Sequence, residues 1–301
     1  MTPNPIRLRH VWTPITNQKK SFALMSAANA SSIERAVVFV HGFSGNAKTT
    51  WSDFLSLVDD DATASRWWEN ADLYFYHYYW NSIFQRIGYN SDQLFKFLNR
   101  IFPQPEPGFF QTAEMSLRPG FQYKELTLVG HSEGGLLLRK VVLEAANRER
   151  ALQNYVRSKA SNPATVQPNP TGLLVAQLRL FAPAIGGEAL SGLLGVISSL
   201  PVISSVLRSS SAKQGLGATA EPVRAARDYT NYWAQQVTME CFQADILWAE
   251  HDSIVDREKY QFDHHCTNSP PGTDHSSVCK PKKDYLLPIE FAEKGVNSAS
   301  C

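Results

Sequence analysis

One stretch limits what this chain can fold into more than any other. Leu126-Thr127-Leu128-Val129 is followed by Gly130-His131-Ser132-Glu133-Gly134-Gly135, and then by Leu136, Leu137, Arg139, Lys140, Val141, Leu143 and Glu144. The first four residues read as a short strand, and the last run has helical spacing. No loop fits between them, so the backbone must turn sharply from strand into helix at Ser132. Glycines two before and two after the serine relieve the crowding of such a turn, which leaves the hydroxyl exposed at the end of the strand. A Gly-x-Ser-x-Gly pattern alone is weak, because it arises by chance. The strand before it and the helix after it give it weight.

A second strand precedes it. Ala36-Val37-Val38-Phe39-Val40 is continuously apolar and ends at His41-Gly42-Phe43-Ser44-Gly45. Such a run suits a strand covered on both faces, as in a parallel sheet. Further along, 51–70 reads as helix and loop, Leu73-Tyr74-Phe75-Tyr76 as an aromatic strand, and 91–101 as a helix. The proline-rich 102–120 reads as a loop, Gln177 to Phe181 as a strand, Tyr229 to Gln236 as a helix, and Ala244 to Ala249 as a late strand. Residues 1–35 are expected to form a leading loop or short strands. Strands alternating with helices predict a mostly parallel sheet with helices on both faces.

At 301 residues and 43% apolar composition the chain can build one large core. One domain over 1–301 is expected, with 185–225 as a cap or lid inserted near the site. Basic and acidic residues number 29 and 28, giving a net charge of +1, and no basic cluster suggests nucleic acid. Met1 to Lys20 lacks the apolar core of a secretory signal, so a cytoplasmic or peripheral-membrane location is expected. The apolar stretch Ile185 to Leu207 has the length of a membrane span, but Glu188, Pro201, glycines and serines dilute it. A cap over a site fits it better. Cys241, Cys266, Cys279 and Cys301 form no metal-binding spacing. Cys266 and Cys279 share one loop-like region and are close enough in sequence to pair in an oxidising compartment; free thiols are the simpler expectation.

A serine hydroxyl becomes a nucleophile when a base takes its proton. An oxyanion formed at its substrate needs N–H donors. The backbone N–H of Glu133 is the first candidate. The second is that of Phe43, in the loop after an earlier strand. His41 then reads as a histidine that bonds the loop backbone. An acid and a histidine are expected downstream, in that order. Asp252 lies just past the late strand in Trp248-Ala249-Glu250-His251-Asp252-Ser253-Ile254-Val255. Glu250 is its closest competitor, ahead of Asp245 and Asp256. His275, in Gly272-Thr273-Asp274-His275-Ser276-Ser277-Val278, has a glycine-bearing approach and is favoured. His264 and His265 are nearer to the acid and remain alternatives.

These motifs together resemble those of the lipase-like α/β-hydrolases of the DUF676, PGAP1 and SERAC1-like group. The likeness runs from about Ala36 to Phe291. It rests on Val37 to Phe43 with Trp51, Val129 to Gly135, Leu180-Phe181-Ala182-Pro183, Glu250 to Val255, and Asp274-His275-Ser276-Ser277-Val278-Cys279-Lys280-Pro281. The resemblance implies the α/β-hydrolase fold, about eight strands, and a triad of Ser132, Asp252 and His275. The His-Ser-Ser-x-x-Lys-Pro ending decides for His275 over His264 and His265. One departure stands out. The group has Phe-x-Thr-Pro-His after the sixth strand, where this chain has Phe181-Ala182-Pro183-Ala184.

The expected activity is hydrolysis of a small-molecule or lipid ester through an acyl-enzyme, with no cofactor and no metal. Peripheral membrane contact is compatible with it. The rival from another class is a binding or effector module that keeps the fold without turnover. Thioesterase, amidase and acyltransferase chemistry would use the same groups.

Overall fold

The apolar runs of the sequence lie in one sheet. A computed structural model describes residues 10–15, 20–26, 33–43, 45–58, 67–78, 87–106, 108–109, 121–159, 172–186, 221–236, 240–257 and 260–297. Its strands are β1 (His10–Pro14), β2 (Phe22–Ser26), β3 (Arg35–Val40), β4 (Ala71–Tyr76), β5 (Glu125–His131), β6 (Gln177–Phe181), β7 (Asp245–Leu247) and β8 (His264–His265). They form an 8-stranded sheet in the order β1-β2-β4-β3-β5-β6-β7-β8. The β1–β2 and β2–β4 pairs are antiparallel. All other pairs are parallel.

The helices are α1 (Ala47–Thr50), α2 (Ser52–Val58), α3 (Ile87–Ile101), α4 (Glu133–Lys159), α5 (Glu221–Gln236) and α6 (Leu287–Lys294). They cover both faces of the sheet. On one face Phe39 stacks on Phe75 at 4.8 Å, and Trp51 and Phe54 pack against Phe39 and Phe181. Phe291 of α6 meets Phe181 there at 5.0 Å. On the other face Tyr74 and Tyr76 meet Phe97 of α3, and α4 lies between α3 and α5. This double cover explains why β3 shows no polar alternation: after Arg35 every residue is buried. Each such buried aromatic contributes about 1.5–3 kcal/mol of transfer free energy.

Most expected elements form where the spacing placed them, with informative differences. The leading segment contributes β1 and β2, which extend the sheet at one edge. The helix expected from Tyr229 begins at Glu221. Pro222 gives no hydrophobic signal, yet it suits a first helical turn, where its missing N–H has no intrahelical partner to lose. The expectation of free thiols holds for Cys241 and Cys279 and is corrected at Cys266. Cys279 is a buried free thiol, so Cys266 and Cys279 do not pair. Cys266 is disulfide-bonded, to a partner outside the described residues. Most of the expected cap, 187–220, also lies outside them. Ile185 just before it is buried, and its carbonyl accepts the Tyr260 hydroxyl at 3.3 Å. Among the described residues no helix is long and apolar enough to cross a membrane.

The parallel strands point their C-terminal ends the same way. The loops after β3, β5, β6 and β7 therefore gather His41, Ser132, Ala182 and Asp252 along one edge, where open α/β sheets place their ligand sites.

Candidate active site

Ser132 sits between β5 and α4 with φ +54°. A non-glycine residue in this region is strained and persists only where its surroundings hold it. They do so here. Ser132 N–H donates to Phe181 O at 3.1 Å, and Ser132 O accepts from Gly135 N and Ala184 N, each at 3.0 Å. The glycines of the pattern answer to close approach. A Cβ on Gly134 would lie 2.4 Å from Val40 O and 2.6 Å from His41 O. One on Gly130 would lie 2.9 Å from Gly135 Cα, and one on Gly42 would lie 2.7 Å from Ser132 Cβ. The turn after β3 is thus pressed against the serine. Phe43 lies in that turn, which Gly45 N–H closes onto Gly42 O at 3.1 Å. Glu133 is the first residue of α4, so its N–H has no intrahelical acceptor.

The acid and the histidine meet. His275 Nδ1 lies 2.9 Å from Asp252 Oδ2, and the Asp252 side chain is fully buried. Two neighbouring loops are strapped together to achieve this. His251 N–H donates to Thr273 O at 2.9 Å, Glu250 N–H to Thr273 Oγ1 at 3.1 Å, and Gly272 N–H to Glu250 Oε2 at 2.6 Å. Gly272 takes φ +71°, which opens the turn into the histidine loop. Asp252 Oδ1 accepts from Ile254 N at 2.9 Å and Val255 N at 3.1 Å. Burial alone would raise this carboxyl. Hydrogen bonds from His275, Val255 and Ile254 outweigh it and hold Asp252 below its ordinary value. An anionic Asp252 only accepts, so its bond with His275 has Nδ1–H as the donor.

The competitors are occupied elsewhere. Glu250 serves the strap. Asp245 pairs with Arg179 and lies 3.3 Å from His264. His265 Nδ1 accepts from Trp248 Nε1 at 2.9 Å. His251 is largely exposed.

Two residues of this corner were not singled out from the sequence. His131 Nε2 donates to the His275 carbonyl at 2.7 Å, and the two rings lie 4.9 Å apart. Burial, then the nearby His275, push the His131 pKa down to about 3, so its ring is neutral. Tyr78 follows β4. Its hydroxyl lies 3.1 Å from His41 O and 3.2 Å from Glu133 Oε2, and its ring stacks on His41 at 4.3 Å. His41 Nδ1 donates to Gly42 O at 2.8 Å, a bond to the backbone of its own loop. The role of His131 has no sequence signature, because it stands between the glycine and the serine of the motif, and that of Tyr78 is hidden in an aromatic run. Among the described residues Ser132 Oγ has no direct hydrogen bond to His275; His131 links the serine's strand to the histidine's backbone. No group of three or more His, Cys, Asp or Glu could hold a metal ion among those residues.

The architecture has relatives among solved structures. Over 98% of this chain and 87% of the other, it superposes on the peroxisomal α/β-hydrolase Lpx1 of Saccharomyces cerevisiae with a TM-score of 0.50 and 10% identity. It is also similar to carboxyl esterase 2 of Tuber melanosporum, with a TM-score of 0.47 and 13% identity over 97% of this chain and 88% of that one. No protein-family model matches the chain, and no curated protein matches it in sequence. At this identity the likeness speaks for the fold, and with the strand order above the chain has the α/β-hydrolase fold.

Proposed function

We propose that the chain is a serine hydrolase that cleaves carboxylic esters. Ser132 Oγ attacks the carbonyl carbon as His275 Nε2 takes its proton. Asp252 orients the imidazole and stabilises its cationic form. The backbone N–H groups of Glu133 and Phe43 receive the oxyanion. Collapse of the tetrahedral intermediate breaks the ester C–O bond, and His275 protonates the leaving alcohol. Water then attacks the acyl-enzyme with the same base, releasing the acid and Ser132. The chemistry requires no cofactor or metal.

The observation that carries this reading is the Asp252–His275 hydrogen bond at 2.9 Å, beside a serine held at φ +54°. A strained serine at the end of a parallel strand and a buried acid–histidine pair at the same sheet edge serve nucleophilic chemistry together. The sequence resemblance to the lipase-like group around DUF676, PGAP1 and SERAC1-like proteins supports the same roles, and the apolar 185–207 stretch favours a small-molecule or lipid ester. Thioester or amide cleavage would use the same groups, and product analysis with matched substrates separates them. A binding module without turnover is the rival, and the acid–histidine pair speaks against it.

A fluorophosphonate probe tests the proposal on wild type and Ser132→Ala in parallel. Covalent labelling of the wild type alone supports it, with hydrolysis falling by at least ~10³-fold in the variant. Equal labelling of both proteins, or none of a folded wild type, overturns it.

A further inference from the structure

We infer that Glu133 is a positioning residue whose neutral side chain, acting through Tyr78, holds the His41-Gly42-Phe43 turn in place for the oxyanion. The inference rests on the serine-hydrolase reading and deepens it. On that reading Glu133 serves twice: its backbone N–H as a donor and its side chain as a brace.

Proton counting carries the argument. Tyr78 Oη lies within hydrogen-bond distance of two oxygens, His41 O at 3.1 Å and Glu133 Oε2 at 3.2 Å. A carbonyl oxygen only accepts, an ionised carboxylate only accepts, and a phenol has one proton to give. With Glu133 ionised, that proton goes to the carboxylate, since a charged acceptor forms the stronger bond. His41 O then loses its Tyr78 donor. With Glu133 protonated, both contacts form at once. The carboxyl O–H donates to Tyr78 Oη, and Tyr78 O–H donates to His41 O. Only the neutral acid completes the chain.

The surroundings favour that form. The titratable groups in this corner are Tyr78 after β4, His41 after β3 with His77 behind it, and His131 and His275 beside Ser132. Burial drives His41 and His131 to about 3 and His77 to about 4, so none of these three supplies a cation at neutral pH. The Glu133 carboxyl is itself buried, which raises it to about 7 against the opposing bond from Tyr78.

Position then connects the brace to chemistry. His41 O is packed so closely on the first turn of α4 that a Cβ at Gly134 would lie 2.6 Å away, and Gly42 would clash with Ser132 Cβ if it carried one. The turn that carries the Phe43 N–H is thus packed against the nucleophile with no room for a side chain at Gly42 or Gly134. Loss of the proton from Glu133 frees His41 O and also places a negative charge one residue from the serine, where an oxyanion would develop. Both effects slow acylation.

The test is the second-order rate of fluorophosphonate labelling between pH 5.5 and 9, on wild type, E133Q, E133L and Y78F. Glutamine donates to Tyr78 at every pH; leucine never does. The wild-type rate is expected to fall above neutrality by at least ~5-fold. E133Q should lack that fall and overtake the wild type at pH 9. E133L and Y78F should be slower than wild type by ~10-fold or more at pH 6; E133L should show no alkaline fall, and Y78F should keep only the part that the Glu133 charge causes. An alkaline fall retained in E133Q would overturn the inference, as would a wild-type rate in E133L. If E133L does not fold, as judged by circular dichroism, the wild-type and E133Q profiles decide alone. A wild type whose labelling survives Ser132→Ala would bring down the serine-hydrolase reading instead, which separates the two failures.

Discussion

His131 Nε2 donates a 2.7 Å hydrogen bond to the main-chain oxygen of His275. The residue before the strained serine thereby grips the backbone of the histidine that is proposed to activate it. The bond spans 144 positions in sequence and joins β5 to the loop after β8. It ties the backbone of His275 to the strand that leads into Ser132.

Removing that grip should act on geometry and leave the chemical groups intact. His131→Ala is expected to lower kcat by ~10–100-fold, the scale on which a misplacement of about 1 Å slows an oriented reaction. KM should change by less than ~3-fold. Steady-state kinetics with a short-chain ester would check it. An unchanged kcat would mean that His275 is held by the Asp252 bond and the Thr273 strap alone.

Asp252→Asn should keep the turn and lose the tautomer. The amide oxygen can still accept from Ile254 and Val255, as Oδ1 does now. The remaining amide group would present N–H to His275 and favour a ring protonated on the wrong nitrogen. A fall in kcat of ~10³–10⁴-fold is expected, with little change in melting temperature. Activity within tenfold of wild type would point to Glu250 or another acid as the partner.

The glycines divide into two kinds, and alanine substitution distinguishes them. Gly134→Ala places a methyl group 2.4 Å from Val40 O, against backbone that cannot yield cheaply. It should destabilise by more than ~3 kcal/mol, or abolish soluble expression. Gly88, near the start of α3, has nothing within 4 Å of its added Cβ and no positive φ. Gly88→Ala should stabilise by about 0.5 kcal/mol, by restricting the unfolded chain. Denaturant midpoints of the two variants should move in opposite directions.

Acid should unfold the protein through its buried histidines. His41 and His131 titrate at about 3 when folded and near 6.5 when unfolded. Below pH 6.5 the unfolded chain therefore binds more protons at these sites, and each lowers stability by up to about 1.4 kcal/mol per pH unit. Glu133 has the opposite sign. Its raised pKa of about 7 makes the fold gain stability as pH falls from 7 toward 4.5, which offsets one histidine. The depressed Asp252 removes stability once pH falls through the carboxylate range. The net expectation is a lower urea midpoint at pH 5 than at pH 6.5. His77, at about 4 when folded, acts in the same sense, so equal midpoints would show that at least two of these three histidines are charged in the folded state.

Much of the fold was legible because two of its causes are local. A parallel strand covered on both faces must be apolar throughout, and Ala36 to Val40 is. A strand that turns directly into a helix must place glycines around the turning residue, and Gly130 and Gly134 flank Ser132. The pairing of Asp252 with His275 was legible only through the resemblance of short motifs, since spacing left Glu250, His264 and His265 open. The start of α5 at Glu221 was missed because its first turn is polar and carries a proline. Free thiols were the simpler expectation, which holds at Cys241 and Cys279 and fails at Cys266, because composition says nothing of whether two thiols meet.

By itself, then, the sequence determined the order of strands and helices, the parallel core, and the serine turn, since hydrophobic period and glycine sterics act over a few residues. Tertiary structure decided the rest. It set Asp252 against His275 and gave Glu250 the Gly272 N–H to bind. It turned His131 from a spacer within a motif into the support of His275. It set one tyrosine proton between two acceptors, His41 O and Glu133. Those relationships join residues from separate strands at one sheet edge, and such a meeting depends on how the strands order themselves in space.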